Sequence, residues 1–519
     1  MEHVLKIADE GKGYPLTCKE NESIMNALLR QGIYVSAVCG GRGTCGKCRI
    51  QVVEGDLPVT PSDEKKLKKE ELEAGFRLAC KAVPQGDCTI RLHFQTDEAF
   101  NVVAGRESAA AREKAASGYA IAIDIGTTTL AMQLLDLDTG KAAGTYTGIN
   151  HQRAYGSDVI SRIQASNDGK KELLRKSICR DLLAGIRELT GSMGVERDQV
   201  KEIAIGGNTT MGHLLMGFSC EHLGIFPFRP VDISTIRRPF SEILKSDELD
   251  CDIVLLPGIS TYVGGDITSG LLSCGFAENE KVCLLVDLGT NGEMAVGNRD
   301  KIFVTSTAAG PAFEGGNISW GMGSVAGAIS NVKITDGKAS VTTIQGAEPE
   351  GLCGTGVIET AAELVKAALV DETGLLDEEY FGEGFPLAEA VSGDTITFTQ
   401  KDVREIQLAK AAVRAGMETL LLRYGVVYDQ VDTLYLAGGF GFHIDQDKAI
   451  DIGLLPKAFE GRIKAVGNSS LSGAEQYILD EEAKQKVEHI IKISREVELS
   501  TDPDFNELYM DHMYFERDE

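Results

Sequence analysis

The stretch Tyr119-Ala-Ile-Ala-Ile-Asp124-Ile-Gly126-Thr127-Thr128-Thr129 decides the fold, because its pattern recurs at Val282-Cys-Leu-Leu-Val-Asp287-Leu-Gly289-Thr290-Asn291-Gly292-Glu293. Each copy is an apolar strand that ends in Asp-aliphatic-Gly-Thr and leads into a second strand pairing back on it. Turns follow at Asp138-Thr139-Gly140 in the first copy and Asn298-Arg299-Asp300 in the second. The chemistry of the shared turn is specific. Gly126 and Gly289 open the backbone, and the N–H and hydroxyl groups of Thr127–Thr129 and Thr290–Glu293 are placed to meet phosphate oxygens. Asp124 and Asp287, at the strand ends, are placed to hold Mg²⁺ through water. A lone turn of this kind also serves an ordinary tight hairpin. Two copies in matching strand contexts point to a nucleoside triphosphate gripped from both sides.

A third element completes the set. Asp402-Val-Arg-Glu405 reads as a helix N-cap with its Glu three residues on, opening a helix that runs to about Tyr424 and stops at Gly425. A strand over Val431–Leu436 then breaks into Ala437-Gly438-Gly439-Phe440-Gly441. Glycines after a buried strand allow close approach of a flat ring or a ribose, so Gly438, Gly439 and Gly441 are expected to line the adenosine. Three further stretches admit two readings each. Ala308–Gly315 brings Glu314 beside the nucleotide or forms a buried turn. Gly351–Gly356 faces a phosphate or simply opens a helix. Asp266, after Gly264 and Gly265, is a ligand or a helix cap.

The other end of the chain carries different chemistry. Cys39-Gly-Gly-Arg-Gly-Thr-Cys45-Gly-Lys-Cys48 and, at a distance, Cys80 supply three thiolates on one tight loop and a fourth returning to it. That is the requirement of a [2Fe–2S] cluster. Glycines at 40, 41, 43 and 46 permit positive φ and let backbone N–H groups crowd near sulfur. Strands over Val4–Ile7, Tyr14–Lys19, Arg49–Val53 and Thr89–Phe94, with a helix capped by Asn21, make a small mixed α/β module. A four-cysteine zinc site is the alternative, although such sites usually show two CxxC pairs. The remaining eight cysteines are scattered singly and read as small buried hydrophobes.

Composition limits the function classes. Hydrophobic residues are 43 % and charged residues 25 % of 519, as in globular proteins. No apolar run reaches the roughly 18 residues that a membrane helix needs, and Met1–Gly11 lacks a signal-peptide pattern. A cytoplasmic protein without membrane partner is expected. The net charge of −26 argues against nucleic acid as a partner, since polyanions repel. Domains are expected at 1–95 for the cysteine module, 118–280 and 281–519 for the two repeats, with an Ala/Glu/Arg-rich linker at 96–117 that is partly helical or an ordinary packed helix.

The cysteine module resembles the ferredoxin family, with C-x5-C spacing similar to the adrenodoxin-like branch. Asp124–Thr129, Asp287–Glu293 and Leu436–Gly441 resemble the phosphate-1, phosphate-2 and adenosine motifs of the superfamily of acetate and sugar kinases, heat-shock chaperones and actin. More narrowly, the whole arrangement resembles the reductive activators of corrinoid proteins. Gly207-Asn-Thr-Thr-Met211, Leu256-Pro-Gly258, Tyr262-Val-Gly-Gly-Asp266, Ala308–Gly315, Gly351–Gly356 and Gln407-Leu-Ala-Lys-Ala411 carry that match.

The resemblance implies an α/β and α+β multidomain chain: an N-terminal β-grasp ferredoxin-like domain, then a duplicated ribonuclease-H-like (actin-type) ATPase. It implies an ATP-hydrolysing iron–sulfur oxidoreductase that delivers one electron to a corrinoid protein, converting Co(II) to Co(I). Cys39, Cys45, Cys48 and Cys80 would hold the cluster, a low-potential donor would reload it, and the chain would form a homodimer. A plant-type cluster sits at about −400 mV, and the cobalt couple is expected lower still. Each 100 mV of deficit costs roughly 2.3 kcal/mol per electron, a gap that ATP is expected to offset. Two alternatives stand beside this reading. One is an ATP-driven donor to another low-potential enzyme, like the activators of 2-hydroxyacyl-CoA dehydratases. The other is a redox-sensing, chaperone-like module switched by ATP.

Overall fold

Two six-stranded sheets carry the repeat in a computed structural model, which describes residues 2–8, 15–31, 33, 35, 41–44, 46–92, 118–289, 291–439, 441 and 443–515. In the first sheet Tyr119–Ile125 pairs antiparallel with Thr129–Asp136, which pairs with Lys141–Ile149. On its other side it runs parallel to Val200–Gly207, and that strand to Asp252–Leu255. The second sheet repeats this strand for strand. Cys283–Leu288 pairs antiparallel with Gly292–Asn298 and then Lys301–Thr307, and runs parallel to Thr433–Ala437 and Ile463–Gly467. Only the edges differ: Ile236–Pro239 closes one sheet and Ser494–Glu496 the other. Ala120, Ile121, Ala122 and Ile123 are all buried, as a central strand covered on both faces requires.

The helices follow the same duplication. Lys171–Met193 and Gln400–Tyr424 each lead into the fourth strand of a repeat, the second after an insertion over 308–399, and Gly265–Ser273 and Ser469–Leu479 each follow the last parallel strand. These last two helices cross between the sheets, in a core that includes Leu271, Leu285 and Leu471. Glycine permits the crossing. A Cβ on Gly473 would stand 2.0 Å from the Ser269 carbonyl oxygen, and one on Gly270 would stand 2.8 Å from Ser469 Oγ.

The cysteine module is a five-stranded sheet in the order Pro15–Lys19, Glu2–Ile7, Cys88–Leu92, Arg49–Glu54, Phe76–Leu78, accompanied by the helix Ile24–Arg30. Two expected caps move. Ser23, not Asn21, caps Ile24–Arg30 and accepts from Asn26 N, while Asn21 takes a left-handed φ of +60° in the turn before it. Thr399, not Asp402, opens Gln400–Tyr424. Asp402 is the third helical residue and reaches back to Thr399 N at 2.8 Å, so the capping box lies one turn earlier than the Asp402–Glu405 reading. Gly425 ends that helix at a φ of +89° as expected. The expected linker at 96–117 lies outside the described residues. Among those described, no helix is long and apolar enough to cross a membrane.

Candidate nucleotide and cluster sites

The two hairpin turns face each other across one cleft of about 1250 Å³. Asp124, Gly126, Thr127, Thr128 and Thr129 line it from one repeat; Asp287, Gly289, Asn291, Glu293, Gly438 and Gly439 line it from the other. Gly292 and Gly441 do not line it. A Cβ on Gly292 would meet Thr307, Val413 and Met294, so that glycine serves the core, and Gly441 folds back on the Ala437 carbonyl. Thr290 lies outside the described residues, as does Phe440.

The two strand-end aspartates sit in related but unequal settings. Each faces the start of the crossing helix that belongs to the other repeat. Asp124 meets the start of Ser469–Leu479, where Asn468 Nδ2 (2.8 Å) and Ser470 Oγ (2.7 Å) donate to its two oxygens. Burial pushes the Asp124 carboxyl up from its ordinary range, and those two donors pull it back. Asp287 instead faces Asp266, in the first turn of Gly265–Ser273. Burial first, then Asp266 and Asp124, push Asp287 up to about 8. Asp266 and Glu293 are raised as well, by burial and by the neighbouring acids. Asp266 is therefore part of an acidic group rather than only a helix cap. Among the described residues no three His, Cys, Asp or Glu stand close enough to ligate an ion directly. Mg²⁺ dehydrates reluctantly and binds through waters, one or two carboxylates and phosphate oxygens, and Asp124 and Asp287 at the cleft are residues of the type that this requires.

Side chains outside the motifs pin the first hairpin. Asn208 caps the helix Thr209–Met216 through Met211 N and donates from Nδ2 to Thr127 Oγ1 at 3.0 Å. Asn468 plays the same double part, capping through Leu471 N at 2.8 Å while holding Asp124. Arg162, fully buried, donates to the Thr127 carbonyl and to Gly156 O. Thr128 Oγ1 donates to Glu314 Oε2 at 3.3 Å, which joins the hairpin to the other repeat and settles Glu314 as a cleft residue. Sequence reasoning takes in Asn208 only within Gly207–Met211 and misses Asn468 altogether. An Asn just ahead of a helix is the cap signal that finds both, but neither second bond is legible locally. Nothing in the local pattern marks Arg162.

Gly354 and Thr355 line the same cleft at the start of the helix Gly354–Lys366, which lacks a side-chain cap. Its free N–H groups favour an anion there. Cys353 is packed, with Sγ on the Ile329 carbonyl at 3.3 Å. Elsewhere in the cleft lining the buried Glu359 accepts from Asn331 Nδ2 at 3.0 Å and from Lys448 Nζ. His443 lines the cleft; His151 is turned to Asp181, with Nδ1 at 2.8 Å.

In the cysteine module Cys48 and Cys80 are buried, and Cys39 and Cys45 lie outside the described residues. The pairing of Arg49 with Leu78, extended by Ala79 N donating to the Cys48 carbonyl at 2.8 Å, brings Cys48 and Cys80 to one end of the sheet. Asp63, fully buried, fixes that end by accepting from Leu78 N at 2.7 Å. Gly41, Gly43 and Gly46 all take positive φ, between +73° and +87°. A Cβ on Gly41 would stand 3.8 Å from Cys80 Cβ, so the glycine loop folds over the fourth cysteine. This loop with its buried thiols fits a cluster bound by cysteine. Thr44 and Lys47 of the same loop line the nucleotide cleft. Of the eight other cysteines, Cys18, Cys88, Cys220, Cys283 and Cys353 are buried; Cys179, Cys251 and Cys274 are only partly so.

Comparison with known proteins agrees with both halves. Residues 7–85 match the 2Fe-2S iron-sulfur cluster binding domain, 119–279 the RACo middle region, and 281–519 the C-terminal, ASKHA domain of RACo. The chain is 30 % identical to the corrinoid activation enzyme RamQ of Eubacterium limosum, over 97 % of this chain and 98 % of that one. It is 27 % identical to a [Co(II) methylated amine-specific corrinoid protein] reductase of Methanosarcina barkeri, over 76 % of each. A solved reductive activator for a corrinoid, iron-sulfur protein superposes with a TM-score of 0.69 at 30 % identity, covering 99 % of this chain and 98 % of that one. With relatedness running through the ferredoxin-like module and both ATPase repeats, the chain belongs to the family of reductive activators of corrinoid proteins.

Proposed function

We propose that this chain is an ATP-dependent reductase of a corrinoid protein, returning its cobalt from Co(II) to Co(I). One observation carries the reading: two strand-end aspartates face one cleft, and the glycine loop between the cluster cysteines lines that same cleft. Cys39, Cys45, Cys48 and Cys80 hold the [2Fe–2S] cluster, which when bound supplies one electron at a time. Asp124, Asp266 and Asp287 orient the waters of a Mg²⁺ ion. Gly126–Thr129, Gly289, Thr290, Asn291 and the Glu293 turn cradle the phosphates, and Gly438 and Gly439 form the adenosine wall. The hydrogen bonds from Asn468 and Ser470 oppose the upward push of burial on Asp124, whereas Asp266 and Asp124 add to that push on Asp287, so the cleft presents unlike carboxylates to one cation. Thr128 and Glu314, joined across the cleft, register closure of the two repeats on the nucleotide. The reading includes an external low-potential donor, a cytoplasmic location and a homodimer.

The test is anaerobic. The protein is mixed with a Co(II) corrinoid protein and a strong reductant, and Co(I) absorbance is followed with and without MgATP. Co(I) is expected only with ATP. Asp124→Ala and Asp287→Ala are expected to lose it by at least about 100-fold while the cluster spectrum survives. Unchanged turnover in both variants excludes these assignments.

A further inference from the structure

The segment between the helix Thr209–Met216 and the edge strand Ile236–Pro239 takes no part in the cleft, yet it clusters several exposed large hydrophobes among the described residues. Phe226 is 80 % exposed, Val231 57 % and Ile225 56 %. Single exposed hydrophobes are ordinary, but a contiguous set marks a contact surface. The stretch is also held rigid. Phe228 stands at a φ of +47°, a left-handed conformation costly for a non-glycine residue. Thr261 Oγ1 donates to the Phe228 carbonyl at 2.7 Å, and the Phe228 ring packs edge-on against Tyr262 at 5.5 Å. A mobile loop would relax such a conformation; this one is fixed from beneath.

Its support leads to the nucleotide. Val231 N donates to His213 Nε2 at 2.9 Å, and His213 Nδ1 contacts the Thr209 carbonyl at 2.8 Å. The imidazole is therefore neutral, with its proton on Nδ1. Thr209 opens the helix that Asn208 caps, and Asn208 also holds Thr127 of the first phosphate hairpin. A continuous set of hydrogen bonds thus runs from the phosphate turn to the base of the exposed loop.

Charge decides what covers it. In a chain of net charge −26, residues 225–239 hold three arginines and one acid, Asp232. Arg237 is occupied by Glu202 and Asp252, and Arg238 by Glu242. Exposed Arg229 has no ion-pair partner among the described residues. Exposed aromatics around an unpaired arginine are the side-chain types that dominate binding energy at interfaces. A twofold contact between copies would bring both Arg229 cations into one interface, whereas an acid-rimmed apolar face would satisfy both the rings and the cation.

We propose that Ile225–Val231 is the docking surface for the corrinoid protein, which meets it with an apolar patch rimmed by Asp and Glu. The inference rests on the function proposed above and adds the surface through which it acts.

The test uses the full-length, cluster-loaded protein with a Co(II) corrinoid protein that the wild type reduces. Phe226→Ser and Arg229→Glu lie at the surface and outside both sites. Each is expected to raise KM for the corrinoid protein by about tenfold or more. Saturating kcat, cluster absorbance, nucleotide affinity and sedimentation mass should stay at wild-type values. Raised salt should weaken wild-type docking and have less effect on Arg229→Glu. Unchanged KM in both variants, with an active wild type, overturns the surface alone. A fall in sedimentation mass assigns the loop to self-association and overturns it too. A wild type that reduces no corrinoid protein overturns the function, and the surface with it.

Discussion

Gly438 and Gly439 are neighbours in the adenosine turn, but their physical constraints differ. Gly438 takes a φ of +93°, and a Cβ there would stand 2.5 Å from the Leu288 carbonyl and 2.9 Å from Asp287 Oδ1. Alanine would add left-handed strain of about 1–2 kcal/mol and press on the carboxylate proposed to orient Mg²⁺. A Cβ on Gly439 would meet nothing within 4 Å. Gly438→Ala is therefore expected to lower the melting temperature by roughly 5 °C and to weaken ATP hydrolysis at least about tenfold. Gly439→Ala should melt with the wild type, and calorimetric titration with ATP then reads how closely the adenosine approaches it. Equal melting of the two variants would show that the Gly438 contact is not tight.

At the scale of elements, the crossing helix Ser469–Leu479 carries an acid that the site does not use. Glu475 is 2 % exposed, its Oε1 has no hydrogen-bond partner among the described residues, and burial pushes its carboxyl up to about 8. The folded chain thus binds this proton more tightly than the unfolded chain does. The stability it contributes is complete below the ordinary glutamate range and is lost at up to about 1.4 kcal/mol per pH unit as pH rises toward 8. Glu475→Gln removes that loss. The variant should be more stable than wild type at pH 8 and above, and the difference should close toward pH 4.5. Urea unfolding at three pH values checks it, and parallel profiles would mean that Glu475 is hydrated.

The same helix shows what the sequence could and could not reveal. Both hairpins, the glycine loop and the duplication were legible because each is a local pattern: a period-2 apolar strand, a turn residue, a repeated order. The caps at Ser23 and Thr399 were misplaced because several adjacent Ser, Thr, Asn and Asp residues compete to cap one helix, and only the first turn's geometry selects among them. The bonds of Asn468 and Ser470 to Asp124 join residues more than three hundred positions apart, and they exist only because Gly270 and Gly473 let two helices cross. Asp266 remained ambiguous for the same reason. Its partner, Asp287, belongs to the other repeat.

Across the whole molecule, the placement of the cysteine loop bears on how nucleotide and electron are coupled. Thr44 and Lys47 line the cleft that holds Asp124 and Asp287, so a bound triphosphate brings net negative charge toward the thiolates around Cys48. Reduction adds an electron, so nearby negative charge opposes it and lowers the midpoint potential. That makes the reduced protein a stronger donor, which is the direction the cobalt couple demands. A unit charge at roughly 15 Å in an effective dielectric of about 20 acts with about 1 kcal/mol, or roughly 50 mV. An EPR-monitored redox titration is therefore expected to show the midpoint falling by tens of millivolts when Mg²⁺ and a non-hydrolysable ATP analogue are added. Lys47→Ala should lower the resting midpoint by a similar order, because it removes a positive charge from the loop. It should also shrink the nucleotide-induced change, since Lys47 is a cation of that loop that lines the cleft and that a phosphate can draw on. A midpoint indifferent to nucleotide in the wild type would mean that ATP acts on the corrinoid partner rather than on the donor, and that the cysteine loop's position at the cleft has no electrostatic consequence.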